Sequence, residues 1–159
     1  MDADVLGRTD ARRGGSSQAI AQRSLTLLIV VDASVIVQVS VAGGTLGPLE
    51  AHEMIAPPLL ASEVTSILCE MAYRTEIPTE HARRAVMQLD DLPIRFDRPI
   101  RLAELAFDIA RSLGWAKSYD AEYLALAQLC SAPLITIDER LRRGAGHIVA
   151  MPALSQLLV

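Results

Sequence analysis

Four acids in this chain, Asp32, Glu63, Asp120 and Asp138, stand where carboxylates can be gathered around a cation. Asp32 closes the apolar run LTLLIVVD, which begins at Leu25, and Asp138 directly follows the run Pro133 to Ile137. A short β-branched run stopped by a polar residue reads as a strand buried on both faces of a parallel sheet. Glu63 and Asp120 fall in the first turns of helices that open after Pro58 and at Ser118. In a parallel α/β layout, strand carboxyl ends and helix amino ends share one edge, and ligands bind in the crevice beyond it. The four acids are therefore expected to converge. Helix amino termini favour negative charge by only about 0.3–1 kcal/mol each, too little to hold four carboxylates in a crevice. A hard divalent cation is enough, and an all-oxygen donor set fits Mg²⁺ or Mn²⁺ rather than zinc. Such a site suits hydrolysis of phosphate esters, where metal activates water and neutralises phosphate charge.

Each acid also has a local reading. Glu63 and Asp120 alone read as first-turn helix charges, and Asp32 or Asp138 alone as a capping acid. Ser34 and Thr136 lie two residues from an acid, as hydroxyl donors to carboxylate or water or as local caps. Glu53, Asp90, Asp91, Asp97, Glu122 and Glu139 read as solvated surface charges, and none of His52, His81 or His147 has a metal-ligand or triad neighbour in sequence. Gly43-Gly44 lacks the frame of a phosphate loop. A haloacid-dehalogenase phosphatase needs a second Asp where Ser34 stands. A receiver domain needs a lysine at a strand end, whereas Lys117 precedes a helix.

The elements that must position these residues alternate through the chain. After Asp32, ASVIVQVSVA reads as helix up to a Gly/Pro break at Gly43 to Pro48, followed by the short helical piece LEAHE. MIAPP is a second strand. The next helix places Val64, Ile67, Leu68 and Met71 on one face. Thr79 is expected to cap a further helix with Ala82, Ala85, Val86 and Leu89 inward. PIRF is a third strand, and the helix from Pro99 buries Leu102, Leu105, Ala106, Ile109 and Leu113 before Gly114 ends it. Helix SYDAEYLALAQL, the fourth strand at Pro133 to Ile137, the helical turn ERLRRGAG, a fifth strand HIVAMP and a closing helix PALSQLL complete the reading. Alternating strands and helices imply a three-layer α/β/α fold around a mostly parallel five-strand sheet.

Composition bounds the rest. At 159 residues and 51% hydrophobic the chain suits one domain with its own core. Residues 1–24 mix charge, glycine and serine without periodicity and read as a disordered tail, leaving residues 25–159 as the domain. Cys69 and Cys130 sit in apolar helical patterns and read as buried free thiols, which places the chain in a reducing cytoplasm. No run approaches transmembrane length. The net charge of −4 argues against a general nucleic-acid-coating protein. Lys117, Arg140, Arg142 and Arg143 flank the presumed metal edge, as phosphate contacts or as solvated surface.

The stretches VVDASVIV, APPLLASEVTSIL, KSYDAEYLALAQ and APLITIDERL together resemble PIN-domain ribonucleases, and within them the toxin component of VapBC toxin–antitoxin pairs. They spread over nearly all of Leu25 to Val159. By motif the resemblance assigns the family's metal-binding acids to Asp32, Glu63, Asp120 and Asp138, and its hydroxyl positions to Ser34 and Thr136. It implies a Mg²⁺- or Mn²⁺-dependent endoribonuclease, a homodimer, RNA as substrate and inhibition by a cognate VapB-type antitoxin. A catalytically inactive PIN-like module that binds RNA or protein is the alternative. Residues 1–24 have no counterpart in the family pattern, and Leu141 stands where some members carry a further acid.

Overall fold

In the computed structural model, which describes residues 26–157, the run LIVV forms strand β1, Leu28–Val31. It pairs in parallel with β2, Glu53–Ala56, on one side and with β4, Leu134–Ile135, on the other. Strand β3, Ile94–Phe96, adds outside β2, so the order is β3-β2-β1-β4 and every pair is parallel. The central position of β1 explains its composition. Ile29, Val30 and Val31 are fully buried, as a strand covered on both faces requires.

Helices supply the cover. They are α1, Ala33–Ala42; α2, Leu59–Tyr73; α3, Thr79–Met87; α4, Leu102–Ser112; α5, Tyr119–Leu129; and α6, Glu139–Ala145. The first three pack on one another and α4 packs along α5, giving the expected three layers. The inward stripes hold in part: Val64 and Leu68 on α2, Ala82 and Ala85 on α3, and Leu102, Ala106 and Ile109 on α4 are buried, whereas Ile67, Met71, Val86, Leu105 and Leu113 at the stripe edges are half-buried. Each large aliphatic side chain buried this way contributes about 1.5–3 kcal/mol relative to exposure. In α5 every residue from Ala121 to Ala127 except Glu122 is buried, so this helix is apolar nearly all round and lies inside the protein. Gly114, at φ +69°, ends α4 in a left-handed turn that a side chain would strain.

The structure also corrects the reading of the elements and the cysteines. The sheet has four strands: residues 147–152 run beside β4 but share a single backbone bond with it, Leu134 N–H to Ala150 O at 2.9 Å. Ile148 N–H turns back to Ala145 instead, and Pro152 has no N–H to offer, so no ladder forms there. The closing helix is only a tight turn, Leu154–Leu157. Pro78 rather than Thr79 holds the capping position of α3. Cys69 is exposed and Cys130 half-buried, where both were expected to be buried: Leu68 takes the inward position, and Cys69 falls outside the stripe. The expectation of a tail over residues 1–24 lies outside the described residues.

Candidate metal centre

The sheet order fixes where a site can form. From β1 the chain passes to β2 and then outward to β3, and it returns on the other side of β1 as β4. The connections therefore diverge between β1 and β4, and their carboxyl ends open the crevice where such sheets bind ligands. Asp32 follows β1 directly and Asp138 follows β4 after two residues more.

Register joins the two ends. Val30 pairs with Leu134 and Val31 with Ile135, so one step further Asp32 stands beside Thr136. The Thr136 hydroxyl donates to Asp32 Oδ2 at 2.7 Å, and the Ser34 hydroxyl donates to the same oxygen at 2.5 Å. Those hydroxyls are themselves held: Ser34 Oγ accepts from Ile137 N–H at 3.2 Å and Thr136 Oγ1 from Asp138 N–H at 3.0 Å. Asp32 sits at the cap position of α1 yet caps nothing; its carboxylate is committed to the two hydroxyls and is 5% exposed. Asp138 does cap α6, its Oδ1 accepting from Arg140 and Leu141 N–H at 2.7 and 3.2 Å.

Glu63, on the second turn of α2, meets a residue the sequence reading did not single out. The Tyr123 hydroxyl donates to Glu63 Oε2 at 2.8 Å, and Tyr123 is completely buried. Burial and the adjacent Glu63 and Asp32 charges push the tyrosine pKa far up, so it stays protonated and donates. Two signals in the sequence could have found it. Tyr123 lies three residues after Asp120 on one helix, a spacing that shares a face, and a tyrosine inside an apolar run needs a partner for its hydroxyl.

Electrostatics shows the acids facing one another. Burial raises the Glu63 pKa; the Tyr123 hydrogen bond opposes this, and Asp32, Asp120 and Glu122 add to it. Burial also raises Asp120, with Asp32 and Asp138 adding and Arg140 opposing. Glu122 is not a solvated surface charge: it is half-buried, and burial raises its pKa against the pull of Arg98. Among the described residues no three Asp, Glu, His or Cys side chains are closed around a single point. Glu63 and Asp120 are near enough to Asp32 for its charge to act on both, without the acids closing on one point.

The donor chemistry fits a hard divalent cation. The hydrogen bonds to Asp32 end on Oδ2, those to Asp138 on Oδ1 and that to Glu63 on Oε2. Each fixes one oxygen and leaves the other of the pair outside that bond, the pattern by which supporting groups orient carboxylates toward a cation. Of the basic candidates, Lys117 and Arg140 line a cleft of about 460 Å³ together with Asp120, Asp138 and Trp115. Arg142 turns away from that cleft and donates to the Thr136 carbonyl at 3.2 Å and the Pro152 carbonyl at 3.5 Å. Arg143 is exposed and does not line the cleft. Leu141 is buried.

The chain has counterparts among known proteins. The family model of the PIN domain matches residues 29–146. The chain belongs to the PIN-domain family. VapC ribonuclease Mb0985 of Mycobacterium bovis is 33% identical over 115 residues, covering 72% of this chain and 88% of its own length. Ribonuclease VapC1 of Mycobacterium tuberculosis is 34% identical over 126 residues, covering 74% of this chain and 90% of its own. Among solved structures, PAE2754 from Pyrobaculum aerophilum superposes with a TM-score of 0.63 at 21% identity, over 84% of this chain and 96% of that one; it supports the fold. Among the described residues no helix is long and apolar enough to cross a membrane.

Proposed function

We propose that this VapC relative is a Mg²⁺- or Mn²⁺-dependent endoribonuclease that acts as the toxin of a toxin–antitoxin pair. Asp32, Glu63, Asp120 and Asp138 would hold the cation, which when bound lowers the pKa of water and offsets charge on the phosphodiester. The observation that carries the reading is the set of carboxylates at the switch point, three of them with one oxygen fixed by protein donors and one left over.

The chain's own groups divide the remaining work. Ser34 and Thr136 hold Asp32 in one orientation, and Tyr123 does the same for Glu63. Lys117 and Arg140, in the cleft that Asp120 and Asp138 also line, draw the phosphate of the RNA backbone to the acids. Preorganised groups of this kind cost no rearrangement when charge develops on the phosphate. The partners in this reading are RNA, a cognate VapB-type antitoxin and a second copy of the chain, in the cytoplasm.

The test is cleavage of RNA by the purified chain with Mg²⁺ or Mn²⁺, with EDTA, and with Asp120→Asn or Asp138→Asn. Cleavage that requires the ion and both acids supports the reading. Equal cleavage in EDTA, or in both variants, overturns it.

A further inference from the structure

A second cleft adjoins the acids through Glu63. Its volume is about 360 Å³, and Leu59, Ser62, Glu63, Ser66, Ile67 and Tyr119 line it. Leu59 and Ile67 make an apolar wall on α2. Ser62 and Ser66, one turn apart on the same helix, place two hydroxyls along the rim. Tyr119 opens α5, immediately before Asp120, and leaves 56% of its surface exposed. Its ring is presented to solvent at the first residue of a largely buried helix. The Lys117 ammonium lies over this ring, 5.9 Å from its centroid.

We propose that this cleft is a nucleobase subsite for single-stranded RNA, with Tyr119 as the stacking surface. The proposal rests on the nuclease reading and adds which part of the substrate is held beside the acids. Glu63 belongs both to the acid set and to the wall of the cleft, so a base seated there has its phosphate at the acids. A strand continuing past that phosphate enters the cleft of Lys117 and Arg140. Flat ring, apolar wall and cation beside a carboxylate rim match a nucleotide, whose base stacks while its phosphate seeks positive charge. A base held this way must be out of a duplex, so the substrate is single-stranded or looped. The Ser62 and Ser66 hydroxyls face the edge of the base and bias which base is accepted.

The experiment measures binding of fluorescein-labelled single-stranded RNA of mixed sequence, about 12 nucleotides long, within the range such proteins cover. Ca²⁺ replaces Mg²⁺ during binding, and cleavage in Mg²⁺ is followed in parallel. A matched series of RNAs lacks one base at each position in turn. In wild type, removing one particular base should weaken binding about tenfold, the scale of a single base–aromatic stack. Tyr119→Ala should weaken binding of the intact RNA by the same factor and lose sensitivity to that base, whereas Tyr119→Phe should behave as wild type. If no position stands out, or if Tyr119→Ala remains equally sensitive, the subsite is overturned, and cleavage by wild type still upholds the nuclease reading. If wild type binds with the base-specific loss yet never cuts RNA in Mg²⁺ or Mn²⁺, the subsite stands and the nuclease reading falls. No binding and no cleavage would overturn both.

Discussion

Thr136 donates its hydroxyl to Asp32 at 2.7 Å across 104 residues of sequence, joining the carboxyl ends of two adjacent parallel strands. This bond, with the one from Ser34, holds a carboxylate that is almost fully removed from water. Without donors a buried charge of that kind would be strongly disfavoured.

Thr136→Val keeps the shape and removes the donor. It should lower stability by about 1.5–3 kcal/mol, the range for a hydrogen bond to a charged group, and reduce RNA cleavage about 10–100-fold, as loss of a supporting group does. Urea melts and initial cleavage rates check both. Wild-type values for each would mean that Ser34 alone holds Asp32.

Tyr123→Phe removes the donor to Glu63 Oε2 inside the core. The orphaned acceptor should cost about 1–3 kcal/mol, and because the hydrogen bond lowers the Glu63 pKa, its loss should raise that pKa further. Carboxyl titration followed by NMR in metal-free protein reads the direction; a fall would contradict it.

Metal-free stability should decline as pH rises through the acid range. Glu63 and Asp120 have pKa values above their ordinary 4.5 and 3.8, chiefly through burial. The folded state therefore keeps protons that the unfolded state has lost. Their contribution is full below the ordinary values and is lost as pH climbs through the raised ones. Melts in EDTA from pH 4 upward test the sign, and Asp120→Asn should flatten the slope.

Asp120→Asn also separates a shared site from a lone helix charge. Asp120 is half-buried and is opposed by both Asp32 and Asp138. Neutralising it should raise the melting temperature in EDTA and shrink the gain on adding Mn²⁺, since a ligand that binds only the folded state stabilises by mass action. A lower melting temperature with an undiminished Mn²⁺ gain would show that these acids do not share one ion.

Arg140 and Arg142 should part company. Arg140→Ala should weaken RNA binding across sequences and reduce the salt slope by about one. Arg142→Ala should instead lower the melting temperature, because it releases the Thr136 and Pro152 carbonyls. Equal salt slopes in the two variants would count against this division.

Much of this was legible in the sequence. The acids after two apolar runs and in the first turns of two helices were enough to place one edge, because strand polarity and helix polarity are fixed by chain direction. What the residues did not expose was pairing. Tyr123 looked like one more member of an apolar helix, and its bond to Glu63 depends on how α5 is rotated against α2. Residues 147–152 carry strand-like composition, yet whether they form a ladder is decided by Ile148 turning back to Ala145. Glu122 looked exposed because charge in a helix usually is, whereas the neighbours that partly bury it belong to the tertiary fold. Arg142 carries the same charge as Arg140, and only the reach of each guanidinium tells them apart.

The pairing of β1 with β4 has a consequence for how the protein comes into being. Asp32 is made 104 residues before Thr136, one of the two groups that orient it. Contacts so distant along the chain form slowly, since the intervening segment must be brought together first. A nascent chain therefore carries Asp32 beside Ser34 but without the Thr136 hydroxyl, and that bond forms late in folding. A crevice built this way has Asp32 held from both sides only once the Thr136 hydroxyl has reached it.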